Sequence, residues 1–142
     1  MNTTIEENIA QIEEDFSLFD QWVDKYAYLI DLGRSLPLID AQYKDENHLI
    51  RGCQSQVWLA AQLDPQGRVV FTADSDALIT KGIIALLVRI LSGQPAQQVA
   101  SADLSFIDRI GLSAHLSPTR ANGLAEMIRQ MKLYAAALSA NR

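Results

Sequence analysis

The chain has 142 residues and a mass of 15.7 kDa; 49% of its residues are hydrophobic, 20% are charged, and the formal net charge is −5. A chain of this size buries about 68% of its unfolded surface on folding, so length and composition describe one soluble globular domain and exclude a disordered or low-complexity chain. A pI near 4.9 argues against nucleic-acid binding, and the longest apolar run, Ile83 to Val88, is far too short to span a membrane.

The acidic N-terminus has no basic region with an apolar stretch behind it, so no secretion signal is expected. One cysteine supports neither an internal disulfide nor a Cys-based zinc site. The expected setting is cytoplasmic.

Ile5, Ile9, Ile12, Phe16 and Phe19 follow alternating steps of four and three, one face of a first helix, and Thr4 with Glu7 forms a capping-box signature at its start. A second helix carries Trp22, Tyr26, Leu29 and Ile30 on one side; Gly33 suits its end and Pro37 prevents continuation. Ser35 to Asn47 reads as a loop. From Gln56 the period becomes two, with Val57, Leu59, Ala61 and Leu63 on one face of a strand. Asp64-Pro65-Gln66-Gly67 is a turn signal, and Arg68 to Ala73 is the partner strand of an antiparallel hairpin.

Asp74-Ser75-Asp76 is expected to open a helix running to about Ser92, with Gly93 at its stop. Its apolar positions cover so wide an arc that it should be the central buried helix. Pro95 to Ser101 and Leu104 to Ile110 read as two short helices. Ser117-Pro118 marks the start of a long last helix, with Leu124, Met127, Ile128, Met131, Tyr134 and Leu138 as its inner stripe. The pattern is α+β, a small antiparallel sheet packed against helices, in one domain over residues 1–142.

Chemistry could reside at Cys53, the sole thiol, on the segment leading into the first strand. Gly52 permits a sharp turn that presents the thiol, and Arg51 could favour the thiolate. The alternative is a small buried hydrophobe, which composition alone favours. His48, five residues before Cys53, could reach it to form a nucleophile–base pair, although no nucleophile signature surrounds them; His115 reads as a packing or capping residue. Cys53, His48, Asp45 and Asp74 lack the paired spacing of a structural metal site, so no metal is expected. Phosphate loops and dinucleotide fingerprints are absent. Asp74 and Asp76 read as helix-start residues. Arg120 sits in the first turn of the last helix, where a cation opposes the macrodipole; its place predicts a specific contact, to a structural carboxylate or to an anionic partner group.

Gly52-Cys53-Gln54-Ser55-Gln56-Val57-Trp58 resembles the signature of the SufE family of sulfur acceptors. The similarity continues through Trp22 with Lys25-Tyr26, Leu32-Gly33-Arg34-Ser35-Leu36-Pro37, Asp74-Ser75-Asp76 to Lys81-Gly82, and His115-Leu116-Ser117-Pro118-Thr119-Arg120 with Gly123-Leu124 and Met127-Ile128-Arg129. The resemblance implies a SufE/IscU-like α+β fold with the acceptor cysteine on a loop beside the sheet. It implies that Cys53 takes persulfide sulfur from a pyridoxal-phosphate (PLP)-dependent cysteine desulfurase of the SufS type or a paralogue, stimulates that enzyme, and passes the sulfur to an iron–sulfur scaffold complex. The chain itself would then be an accessory protein without a cofactor of its own, and a homodimer is consistent with the family.

Gln54, Ser55 and Gln56 match as loop residues supporting Cys53, Arg120 as a loop-holding or partner-facing residue, and Asp76 as part of the partner surface or of the helix start. Arg51 and Gly52 are expected to support Cys53 through charge and the sharp turn, independently of the resemblance. His48 departs from the family, where many relatives carry Asn. A single thiol agrees with a carrier role, since no second cysteine can resolve the persulfide into an internal disulfide. Two rival readings are a regulatory module that binds the desulfurase with Cys53 only structural, and a Cys53/His48-dependent enzyme.

Overall fold

The structure, a computed structural model, describes residues 3–140. In chain order the elements are α1 (Ile5–Ser17), α2 (Trp22–Arg34), two 3-10 turns (Ala41–Tyr43 and Glu46–His48), β1 (Val57–Leu63), β2 (Arg68–Ser75), α3 (Leu78–Leu91) and β3 (Gln94–Pro95). They continue with α4 (Ala96–Ala100), α5 (Phe106–Arg109), a 3-10 turn at Ser113–His115, and α6 (Pro118–Ala140). The fold is α+β, with the three strands in antiparallel order β1-β2-β3.

Local chemistry explains the start of α1 and the β1–β2 turn. Thr4 and Glu7 make the reciprocal capping box, so two orphan N–H groups of α1 are satisfied at once. The β1–β2 turn closes with Gly67 N–H donating to the Asp64 carbonyl at 3.0 Å, while the Asp64 carboxylate accepts from Gln66 and Arg68. Gly67 has φ of 79°, which other residues adopt only with strain. The hairpin register sets Leu59 opposite Ala73, Ala61 opposite Phe71 and Leu63 opposite Val69, so the apolar alternation of both strands faces the same side.

That side meets α3, which is buried at ten of its positions and touches α1, α2, α6 and β2. Ile83, Ile84, Leu86, Leu87, Ile90 and Leu91 are 0–1% exposed, and each such side chain contributes roughly 1.5–3 kcal/mol of transfer free energy. Gly82 lets α3 come close to α2: a Cβ there would overlap the Leu29 carbonyl, and one at Gly33 would lie 3.2 Å from the Gly82 nitrogen.

Four expectations are corrected. β2 continues through Asp74 and Ser75, and α3 starts only at Leu78 with Ala77 as an N-cap that has no side-chain hydrogen bond, so Asp74 and Asp76 are not helix-start residues. Asp74 instead pairs with Lys44 at 3.0 Å and Lys81 at 3.4 Å, tying the segment before β1 to α3. Gln94 and Pro95 form a third strand against β2, and α4 begins after them; proline at an edge loses no needed ladder bond. α1 ends at Ser17, so Phe19 lies beyond it, its ring 5.9 Å from that of Tyr28. Finally, the Ser35–Asn47 segment is less irregular than expected, because it holds a 3-10 turn and Leu38 bridges to Ala73 of β2.

Gly82→Ala is expected to lower the stability by about 3 kcal/mol, the upper end of overpacking effects, because the obstacle is backbone rather than a movable side chain. Urea unfolding should show a lower midpoint with an unchanged slope, and Gly33→Ala should cost less.

Candidate functional site

Residues 51–56 form a loop whose base is clamped. Ile50 N–H donates to the Val57 carbonyl at 2.8 Å, and Leu49 bridges to Trp58, so the two ends of the loop are held side by side. A second clamp joins the loop to the β2–α3 connection. Gln56 N–H donates to the Asp76 carboxylate at 3.0 Å, and Asp76 N–H donates back to the Gln56 carbonyl at 3.3 Å. Between the clamps, Gly52 at φ 89° turns the chain sharply.

That turn lays Cys53 on α6. The thiol is half-buried and donates to the Gly123 carbonyl at 3.7 Å. Gly123 favours this approach as a glycine, because a Cβ would sit 3.3 Å from the sulfur, a tight contact that the thiol would have to yield to by a few tenths of an ångström. Cys53, Gln54 and Ser55 then line a small cavity of about 70 Å³ together with Thr80, Thr119, Arg120, Gly123 and Met127. Ser117 caps α6 by accepting from Arg120 N–H at 3.2 Å, which sets the first helical turn beside the cavity.

Burial pushes the Cys53 thiol pKa up, and the negative charge of Glu126 pushes it further in the same direction. Arg51, expected to favour the thiolate, is exposed and does not offset either effect. Glu126 lies beneath the loop: a Cβ on Gly52 would come within 2.9 Å of its Cγ.

The structure brings Cys53, Gln54, Ser55 and Arg120 together around the cavity, with Gly52 as the turn and Gln56 and Asp76 as the second clamp. Arg51 stands apart, at the exposed rim. Arg120 is exposed and forms no ion pair among the described residues, so the structural-carboxylate expectation fails. Nor is His48 joined to the thiol. Its Nδ1 lies 2.8 Å from the Asp45 carboxylate, and the hydrogen bond from His48 holds that carboxyl below its usual range. His115 stacks on Trp22 at 3.9 Å with its Nδ1 at the Gly111 carbonyl, the packing role expected of it.

Sequence reasoning missed Glu126, Thr80 and the part played by Gly123 at the site. A glycine inside a helix costs about 1 kcal/mol relative to alanine, and that oddity was the available signal for Gly123. Glu126 carried none, since an acidic residue on an exposed helix face is ordinary.

Comparison with known proteins gives two findings. Residues 10–135 match the SufE family model, described as an Fe-S metabolism associated domain. The fold is similar to the solution structure of a hypothetical protein from Thermus thermophilus, with a TM-score of 0.78 and 18% identity over 94% of this chain and 96% of that one. That similarity bears on the fold. Among the described residues no helix is long and apolar enough to cross a membrane.

Two outcomes follow from the geometry. Alkylation of Cys53 by iodoacetamide should rise with pH through a midpoint above the ordinary thiol range, and urea-unfolded protein should return to that range, because unfolding removes both burial and the neighbouring carboxylate. Asp76→Ala removes one clamp bond worth about 1 kcal/mol and should speed alkylation about fivefold near neutral pH, with the midpoint moving toward the ordinary thiol range.

Proposed function

The chain belongs to the SufE family, whose domain is associated with iron–sulfur metabolism, and from that premise we propose that Cys53 accepts sulfur from a cysteine desulfurase and carries it as a persulfide. The observation that carries this reading is the sole thiol of the chain, half-buried at a loop tip and facing a cavity of about 70 Å³. One water occupies roughly 30 Å³ in the liquid, so the cavity has room for an added sulfur atom.

The transfer balances without an external oxidant. The Cys53 thiol loses its proton to solvent, and the thiolate attacks the outer sulfur of the persulfide on the desulfurase cysteine. A new S–S bond forms on Cys53 as the donor's S–S bond breaks, and the donor cysteine leaves as a thiolate. The product persulfide is anionic near neutrality. Arg120 and the N-terminal turn of α6 border the cavity and supply positive potential to that anion. Gln54 and Ser55 give polar walls, while Gly52, Gln56 and Asp76 hold the loop in position; Arg51 at the rim faces the partner. A desulfurase relieved of its persulfide turns over faster, which accounts for stimulation by a protein that is not itself the enzyme. An iron–sulfur scaffold complex is the recipient of the sulfur.

The test mixes the protein with a catalytic amount of a SufS-type desulfurase and free cysteine, then reads intact mass without reductant. Wild type should gain the mass of one sulfur atom and Cys53→Ser should gain nothing. If Cys53→Ser still stimulates the desulfurase fully, the carrier reading fails and a regulatory module takes its place. Arg120→Glu should fold normally and slow sulfur acquisition by on the order of tenfold, the size expected for losing a charge-assisted contact, with the deficit shrinking at high salt.

A further inference from the structure

We infer that Glu126 is a positioning residue whose stem seats the Gly52 turn on α6 and whose carboxylate lowers the reactivity of the Cys53 thiol while the 51–56 loop lies there; this rests on the acceptor reading above.

The geometry is that of one helical face. Glu126 follows Gly123 by three residues on α6, so both project toward the same strip of surface. Gly123 provides the carbonyl that accepts the thiol proton, and the Glu126 side chain runs beneath Gly52, within 2.9 Å of where a Cβ would be. The residue on each side of the Gly52–Cys53 peptide is therefore seated on the same turn of α6. Gly52 needs its missing Cβ to admit the Glu126 stem as well as to reach its positive φ.

The surrounding charges do not cancel this carboxylate. On α6, Arg129 reaches one Glu126 oxygen at 3.2 Å, but that pair is open to solvent. Arg120 lines the cavity but is exposed to solvent, Arg51 stands exposed on the loop, and the Asp76 carboxylate from the β2–α3 connection is engaged by Gln56 N–H. With the loop closed, burial and Glu126 both disfavour the thiolate. Since the thiolate is the species that oxidises and exchanges, the resting protein is guarded against both. When the loop swings off α6 toward a desulfurase, burial and the nearby negative charge are lost together, and the thiol proton passes to solvent. The same residue thus slows the idle carrier without weakening the engaged one.

The test needs no desulfurase, so it stands or falls separately from the acceptor reading. The pH profile of Cys53 alkylation by iodoacetamide, an uncharged probe, is read by intact mass for the full chain as wild type, Glu126→Gln, Glu126→Asp and Arg129→Gln. Glu126→Gln should lower the midpoint and raise the rate at neutral pH on the order of two- to fivefold, the size of one partly screened charge at short range. Glu126→Asp should stay near wild type, and Arg129→Gln should move the midpoint the other way by freeing the carboxylate. High salt should narrow the gap between wild type and Glu126→Gln. An unmoved midpoint in Glu126→Gln overturns the inference, and so does a midpoint lowered as far by Glu126→Asp or unaffected by salt, because that marks a loosened loop rather than a removed charge.

Discussion

Contact between the cysteine loop and α6 at Gly123 is the constraint on which the site depends. The thiol reaches a carbonyl of the helix backbone at 3.7 Å without crowding because Gly123 lacks a Cβ. The loop is delivered to that contact by the base clamp at Ile50–Val57 and the side clamp at Gln56–Asp76. Each clamp hangs in turn on the hairpin, whose inner face rests on α3. Packing of the central helix therefore decides, several contacts away, where a single sulfur atom sits.

A second glycine plays the same part in the core. Gly82 brings α3 against the Leu29 carbonyl of α2, and α3 leads back through Ala77 and Asp76 to the loop clamp. Close backbone approach thus occurs at two places, one in the core and one at the site. Residues 51–56 are held by a few hydrogen bonds rather than by buried apolar side chains, the pattern of a segment that opens at low cost.

Charge is unevenly spread along the chain. The first fifty residues hold eleven of the seventeen acidic residues and three of the twelve basic ones, so the remainder, which supplies the cysteine loop and α6, is net positive. An acidic whole-chain pI thus says little about the ground where sulfur transfer is proposed. At the site itself, burial and Glu126 outweigh the nearby arginines at rest, because a desolvated thiol responds more to lost water and an adjacent carboxylate than to cations that stay in solvent.

The sequence by itself determined the α+β class, the first two helices, the hairpin with its register-setting turn, the buried central helix, and the start of α6 at Ser117-Pro118, because each is written in local periodicity, capping or turn chemistry. It also singled out Cys53 by its solitude and its glycine neighbour. It misplaced the start of α3, since Asp74 and Asp76 look like capping residues and only the fold shows them bound to Lys44, Lys81 and the Gln56 backbone. It missed β3, because two residues carry no period. Tertiary structure alone decided that Glu126 lies under Gly52, that Arg120 borders the thiol rather than a carboxylate, and that His48 turns to Asp45. Those are meetings between residues tens of positions apart, or choices between equally near partners, and the physics that settles them is packing of whole elements rather than the preference of any short stretch of chain.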